Sequence, residues 1–409
     1  MRKVWLLLLC FLLVLSVRVG ALTWNEALSL AERNSNELIS AQKELESSEW
    51  TYRKAWSTFL PQLSASAGLT NTQSATSSAW SDSYSFGLSA SQNLFKGMAG
   101  IYGIQSAYSA VEYQKAGLTS TKASVYYDLR SNFVEVLVAQ ENVGLLEQIL
   151  KQRQENSSLI QLRYDSGKED KGNLMTTKAD EARAKYDLSS AKRDLKLAKL
   201  KLSQLLGQEV SKVSGNDLVN KAAAVNFDKL IKTTPAFVMS KQQLESAELA
   251  QKATLAEFLP SVSLSGSFRK TGSDWPPLTS NKSWSLNVSL PIFPGGSNIA
   301  DRAIYGAKLA QAKEDYENSI KDLRYSLEEA YENFDDSLDA LEVNKISLAA
   351  AKERAMISNA KYLNGLTVYD EWDRIESAYI QAQKSLLTYK KSALLAEALW
   401  HKTYGGYVR

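Results

Sequence analysis

Apolar and polar residues alternate in two neighbouring stretches near the start of this chain. In the first stretch, residues 61–70, the apolar positions are Leu63, Ala65, Ala67 and Leu69, with serine or glycine between them. The second stretch, residues 84–95, repeats the pattern. A period of two is that of a strand with one apolar face, so this part of the chain is predicted to form a β-hairpin.

The same pattern returns about 199 residues later, over residues 260–269 and 283–293. Short motifs recur with it: Phe59-Leu60-Pro61 returns as Phe258-Leu259-Pro260, and Tyr164 and Gly167 return as Tyr362 and Gly365. The chain is therefore predicted to be an internal duplication. The first structural repeat covers residues 22–206, a connector covers 207–226, and the second repeat covers 227–409.

Helical patterns fill the rest of each repeat. Residues 22–58 predict a helix with Thr23 as its N-cap, because Glu26 follows three residues later. From 99 to about 163 there is no proline, and a helix of that length is about 95 to 100 Å long. Return helices are predicted over 173–206 and 367–404. Apolar residues step by seven in both long helices, which predicts coiled-coil packing: Leu129, Val136, Val143, Leu150, and Leu327, Phe334, Leu341, Leu348.

The four strands have the length and alternation of membrane-spanning β-strands. No second sheet is predicted that could cover their apolar faces, so lipid is the expected cover. Four strands cannot close a barrel, and an open edge in hydrocarbon leaves backbone groups unpaired. Several chains are therefore expected to share one barrel. The predicted fold class is mainly α with a membrane β-barrel portion.

The first 21 residues have the features of a secretory signal peptide. Arg2 and Lys3 precede an apolar run that is too short to span a membrane, and small residues follow it. Cys10, the one cysteine, lies inside this run; a lipoprotein site is the alternative, but Phe11 directly after it argues against lipidation. Without this segment the chain has 45 basic and 45 acidic residues. A nucleic-acid partner is therefore not indicated.

Candidate chemistry is sparse. His401 is the single histidine, and no other histidine or cysteine outside the signal segment could complete a metal site. Gly295-Gly296 and Gly405-Gly406 lack the context of a phosphate-binding loop. No nucleophile with a neighbouring base is recognisable. We therefore expect no enzyme activity, no cofactor and no bound metal.

Taken together, the two Phe-Leu-Pro junctions, the two Tyr-x-x-Gly turns and the duplication resemble the TolC-like outer-membrane efflux protein family, over nearly all of the mature chain. The resemblance implies a homotrimer whose twelve strands form one barrel in the outer-membrane bilayer and whose helices form a tunnel in the periplasm. It also implies a periplasmic adaptor protein and an inner-membrane efflux transporter as partners. The expected function is the exit duct of a tripartite efflux or type I secretion system.

The resemblance also implies roles for particular residues. Asp370 and Asp373 share the three-residue spacing of an aspartate pair that constricts the tunnel mouth, although they lie one position nearer Gly365 than in the family pattern. Three copies would give a ring of six carboxylates; the alternative is an ordinary solvated helix face. The periplasmic turns are expected to dock the adaptor, and their tyrosines and basic residues to hold the mouth closed or simply to pack there: Arg163, Tyr164, Gly167, Lys361, Tyr362, Gly365.

Two further points remain predictions from the sequence. Four aromatic residues are expected at the barrel end nearest the helices, as an interfacial belt or as junction packing: Phe59, Phe95, Phe258, Phe293.

A secreted coiled-coil scaffold or adhesin is the alternative function, because its strands could pack between chains without entering lipid. The sequence does not indicate the substrate.

Overall fold

The structure, a computed structural model, describes residues 21–73, 80–215 and 225–408. The predicted signal segment, with Cys10, lies outside these residues except for residue 21. No helix in the described ranges is both long enough and apolar enough to cross a membrane.

Eight α-helices and four β-strands are described in these ranges. The helices are α1 (Trp24–Asn34), α2 (Asn36–Ala55), α3 (Ala99–Asp165), α4 (Lys171–Leu206), α5 (Phe227–Ile231), α6 (Pro235–Ala253), α7 (Ser297–Leu363) and α8 (Tyr369–Thr403). The strands are β1 (Gln62–Gln73), β2 (Trp80–Lys96), β3 (Ser261–Gly272) and β4 (Thr279–Ser289). Short 3₁₀ helices, Trp56–Phe59 and Thr254–Phe258, precede β1 and β3.

The chain divides into two compact units. The first, here the helical unit, consists of residues up to 38, residues 121–230 and residues 325–409. The second, here the sheet unit, consists of residues 39–120 and 231–324 and contains all four strands.

The predicted helix over residues 22–58 is two helices, so that prediction was wrong in its extent. The predicted capping box is confirmed, since Thr23 and Glu26 exchange hydrogen bonds at the start of α1. Ser35 then adopts an extended conformation, with φ −72° and ψ 111°, and ends α1. Its hydroxyl accepts a hydrogen bond of 3.3 Å from the Leu38 N–H, which caps the next helix.

The four strands form one antiparallel sheet in the order β1-β2-β3-β4. The two predicted hairpins are thus joined side by side through β2 and β3, with a bulge between Asn93 and Phe95. Strands β1 and β4 form the edges, and neither has a second strand partner among the described residues.

The strand boundaries differ from the predicted ones. The strands continue into the predicted loop tips, where polar residues pair as regularly as the apolar ones do; Asn71, for example, lies opposite Asp82. β4 ends at Ser289 rather than at residue 293. Pro291 lies in the predicted extension and Pro294 directly follows it, and proline has no N–H with which to continue a strand ladder.

The core of the helical unit uses the predicted heptad positions. Leu129 and Val136 of α3, and Leu327 and Phe334 of α7, are buried, and the later members of both series are half-buried. The described part of the connector packs on the same core. Val213 exchanges two hydrogen bonds with the Gln140 side chain, at 3.0 and 3.1 Å.

Candidate functional site

The two Tyr-x-x-Gly turns end the long helices α3 and α7 in the same way. Gly167 and Gly365 have φ values of 69° and 73°, which is the left-handed region that glycine adopts most easily. The glycine N–H donates to the carbonyl of Tyr164 in the first turn (2.9 Å) and of Tyr362 in the second (3.0 Å). The following N–H of each turn donates to residue 163 or 361, completing a Schellman motif. The predicted glycine caps are confirmed.

The two equivalent tyrosines lie in different environments. Tyr164 is 37% exposed, whereas Tyr362 is 1% exposed. The Tyr362 hydroxyl donates to Glu169 at 2.5 Å, and its ring stacks on Trp372 with centroids 4.6 Å apart. Burial, followed by the Glu169 contact, raises the pKa of Tyr362, so the phenol stays protonated as a donor. The first turn is thereby attached to the second.

Arg163 makes a second connection between the turns. Its guanidinium lies 4.6 Å from the Tyr362 ring centroid, and its Nη1 donates to the Tyr362 carbonyl at 3.4 Å. The predicted inter-helix contacts at the turns are therefore present for Arg163 and Tyr362. Lys361 and Tyr164 are exposed instead.

A cluster of aromatic and aliphatic residues lies directly behind the turns. Trp372 is in contact with both Tyr362 and Tyr369, and the cluster also includes Ile160 and Leu174. The Tyr369 hydroxyl is hydrogen-bonded to the Thr177 hydroxyl at 2.8 Å. This contact joins α4 to α8.

Arg153 is the centre of a polar cluster on the adjoining helix turns. Its side chain is 10% exposed, and Nη1 lies 2.8 Å from Asp373 Oδ1 and 3.3 Å from Asp180 Oδ2. Its Nη2 donates to the Ser377 hydroxyl at 2.9 Å. One guanidinium of α3 therefore connects α4 and α8. We call Arg153, Asp180, Asp373 and Ser377 the arginine clamp.

The predicted aspartate pair is divided between two environments. Asp370, in the first turn of α8, is exposed, whereas Asp373 is half-buried in the arginine clamp. One turn further on, Glu376 is buried and accepts a hydrogen bond from Gln152. Burial raises the pKa of Glu376, and the nearby Arg153 opposes that rise.

Further ion pairs connect α8 to the other helices beyond the clamp. Lys384 pairs with Asp187 of α4 at 3.2 Å, and Lys390 pairs with Glu141 of α3 at 2.8 Å. These pairs are partly exposed, so each contributes little by itself. They show that α8 is tied to α3 and α4 by polar contacts over several helix turns.

Sequence reasoning missed Arg153, Glu169 and Trp372. The α8 partners of Arg153 and the Tyr362 partner of Glu169 lie 193 to 224 residues away in the chain. Trp372 contacts Tyr362 and Tyr369, which are near it in the chain. For Glu169 the sequence did contain a signal, which was the charge of the first turn. Glu169 and Asp170 occupy the positions that Thr367 and Val368 occupy in the second turn.

The sheet unit contains a second candidate surface, because the two faces of its sheet differ in chemistry. Serine hydroxyls pair across the strands on one face, in the pairs Ser64–Ser89 (2.7 Å), Ser265–Ser285 (2.7 Å) and Ser267–Ser283 (2.8 Å). The other face has large apolar side chains that are open to solvent, including Leu63 at 80% and Trp284 at 79% exposure. The predicted alternation is confirmed on all four strands.

The predicted junction residues lie between the helices and the sheet. Phe59 and Phe258 end the two 3₁₀ helices, and Leu60 and Leu259 are extended residues that lead to Pro61 and Pro260. All four aromatic residues proposed for a belt are exposed: Phe59, Phe95, Phe258, Phe293.

His401, the single histidine, is half-buried and hydrogen-bonded to the Tyr404 hydroxyl. Burial lowers its pKa. Within residues 21–73, 80–215 and 225–408 there is no group of three histidine, cysteine, aspartate or glutamate side chains arranged to hold a metal ion.

Comparison with solved structures shows that the fold is that of known channels. The chain superposes on CusC with a TM-score of 0.85 at 18% identity, covering 93% of this chain and 92% of CusC. It superposes on the open-state MtrE outer membrane channel of Neisseria gonorrhoeae with a TM-score of 0.83 at 20% identity, covering 93% and 88%.

Sequence comparison leads to the same group of proteins. The chain is 24% identical to the outer membrane protein TolC of Vibrio cholerae, in an alignment that covers 91% of this chain and 88% of TolC. The sequence profile described as "Outer membrane efflux protein" matches residues 27–208 and 227–402, which is most of the chain. The chain belongs to the outer membrane efflux protein family.

Proposed function

We propose that this protein is the passive outer-membrane exit duct of an efflux system, formed by three copies of the chain. Family membership supports the outer-membrane location and the efflux role. The sheet supports a barrel shared between copies of the chain. It has one apolar face, one hydroxyl face and two edge strands without partners among the described residues.

The sheet is the observation on which the proposal depends. In hydrocarbon each unpaired backbone group costs several kcal/mol, so edge strands β1 and β4 need partners. A second copy of the chain offers the complementary edge, β4 to β1, and three copies give a closed barrel of twelve strands. The apolar face then meets lipid and the serine face lines the lumen.

The helices are proposed to form the periplasmic tunnel. In the chain, β2 and β4 precede the first residues of α3 and α7, whereas the turns at Gly167 and Gly365 follow their last residues, so we assign the turns to the end that faces a periplasmic adaptor and an inner-membrane transporter. The arginine clamp holds α8 against α3 and α4. Tyr362, at the end of α7, contacts both Glu169 of the first turn and Trp372 of α8, and these contacts together are proposed to keep the mouth closed. Asp370, which is exposed, is proposed to contribute to the constriction.

The alternative is a secreted coiled-coil scaffold whose strands pack between chains outside lipid. Membrane extraction of the full-length protein, expressed in a Gram-negative host, separates the two. We expect the protein to remain in the outer-membrane fraction after high-salt and carbonate washes, to require detergent, and to give ion conductance in planar bilayers. Release by salt, with no conductance, would contradict the duct and support the scaffold.

A further inference from the structure

Charged residues are rare in the sheet, and they are unevenly distributed between its two faces. The described strands contain five of them: Asp82, Lys96, Arg269, Lys270 and Lys282. The register places Lys270 and Lys282 on the apolar face, since Lys270 lies opposite Phe86 and Lys282 lies opposite Phe268. Two lysines thus lie on a face that is otherwise largely apolar.

Both lysines are at the end of the sheet farthest from the helices. Within β3 and β4, Gly266, Leu264 and Val262 lie opposite Trp284, Leu286 and Val288 on the same face, leading toward the helix junctions. The apolar face therefore has basic residues only at its loop end. Lys282 is exposed, and its Nζ is 5.9 Å from the Phe268 ring centroid. Lys270 is half-buried.

The other two charged residues near this end of the sheet, Asp82 and Arg269, are placed differently from the lysines. Asp82 is on the same face, but it lies opposite Asn71 on the β1 side and accepts a hydrogen bond of 2.6 Å from the Asn71 amide. Arg269 is adjacent to Lys270 in sequence, but a strand turns successive side chains to opposite faces, so Arg269 is on the serine face. Arg269 therefore offers a matched control.

We propose that Lys270 and Lys282 bind the phosphate groups of an anionic lipid in the outer leaflet, at the boundary where the apolar face ends. This inference rests on the proposed function, because it requires the apolar face to meet lipid. Phosphate is the partner because two ammonium groups lie at the loop end of the apolar face, so an occupant needs both acyl chains and negative charge. In the outer membrane, the phosphorylated glycolipid of the outer leaflet has both.

The contribution of the two lysines to binding of anionic lipid can be estimated. A lysine near an anionic membrane surface strengthens binding by roughly fivefold, and the effect decreases with salt. Replacing both lysines is therefore expected to weaken the preference for anionic lipid by about 10- to 25-fold. The aromatic side chains Phe86, Phe268 and Trp284, next to the lysines on the apolar face, suit the same headgroup boundary.

The test compares two variants of the full-length protein purified in detergent. The K270Q/K282Q variant removes the proposed site, and the R269Q variant removes one charge from the opposite face. Each is reconstituted into nanodiscs of phosphatidylcholine alone or with added phosphorylated lipid A. Co-purified lipid is measured by native mass spectrometry at low and high salt, and inorganic phosphate is added as a competitor.

We expect the wild type and R269Q to retain lipid A and K270Q/K282Q to lose it, with free phosphate competing weakly. Equal retention by all three proteins would overturn the site while leaving the duct intact, because all three would still insert. Loss in R269Q alone would mean that the serine face meets lipid, and failure of every protein to insert would contradict the duct itself. Strong competition by inorganic phosphate would indicate a simple anion site and overturn the lipid assignment.

Discussion

Arg153 and Asp373 join α3 to α8 through a guanidinium–carboxylate contact of 2.8 Å between residues 220 positions apart in the chain. The same guanidinium contacts Asp180 of α4, so three helices meet at one side chain. Two of its partners, Asp373 and Ser377, belong to α8, so a movement of α8 away from α3 would break both contacts.

We expect Arg153→Ala to loosen α8. The side chain is almost buried and its hydrogen bonds involve charged partners, so the free energy of unfolding should fall by about 2 kcal/mol. Single-channel conductance in planar bilayers should rise, since α8 is then less restrained. Arg193→Ala is the control, because Arg193 is exposed on α4 and donates a hydrogen bond to Ser189 of the same helix. Unchanged conductance in Arg153→Ala would contradict a role of the clamp in closure.

The duplicated tyrosines provide an internal comparison. Tyr362→Phe removes the hydroxyl that donates to Glu169, so we expect a loss of about 1 to 2 kcal/mol in stability. Tyr164→Phe changes the equivalent, exposed position and should stay within about 0.5 kcal/mol of the wild type. Thermal unfolding of both variants measures the difference. Equal effects at the two positions would show that the Glu169 contact is unimportant.

The two aspartates of α8 should respond differently to loss of charge. Asp370 is exposed, so Asp370→Asn should leave stability within about 0.5 kcal/mol and weaken block of the channel by divalent cations. Asp373→Asn should instead lower the thermal midpoint, because it removes the charge that faces Arg153. Replacing both with alanine should raise conductance and weaken the block. If Asp370→Asn leaves the block unchanged, Asp370 does not line the constriction.

Glu376 should make stability depend on pH. Burial raises its pKa above the unfolded value of about 4.3, so the folded chain binds the proton more tightly and stability falls as pH rises between the two values. Glu376→Gln should remove this part of the pH dependence. Thermal midpoints from about pH 4 to 8 measure it, with Glu371→Gln as the control at an exposed position of the same helix. Parallel curves for Glu376→Gln and the wild type would contradict the assignment.

Local features of the fold were predictable from the sequence. The glycine caps at residues 167 and 365 depend on a few neighbouring residues, and so does the Thr23 capping box. The alternation of apolar and polar residues also predicted all four strands. The break at Ser35 was not, because a serine inside a long helical pattern has the same appearance whether it caps a new helix or simply faces solvent.

The candidate site was only partly predictable. Its two tyrosine turns repeat in sequence, so the positions of both turns could be predicted. The environments of these turns do not repeat: Tyr362 is buried against Trp372 and Tyr164 is exposed. Arg153 was missed because its α8 partners come from the other repeat. A single sequence has no signal for a pairing over that separation.

The central claim is that other copies of the chain complete the sheet, and a disulfide scan across the edge strands tests it most directly. Ser66 in β1 and Ser283, Ser285 and Asn287 in β4 all belong to the serine face. Ser66→Cys is combined with a cysteine at each β4 position in turn, with Cys10 replaced by serine, and outer membranes are oxidised before non-reducing electrophoresis. The account predicts a reducible ladder that ends at three copies for at least one pairing. Monomer alone in every pairing, from protein correctly located in the outer membrane, would contradict it.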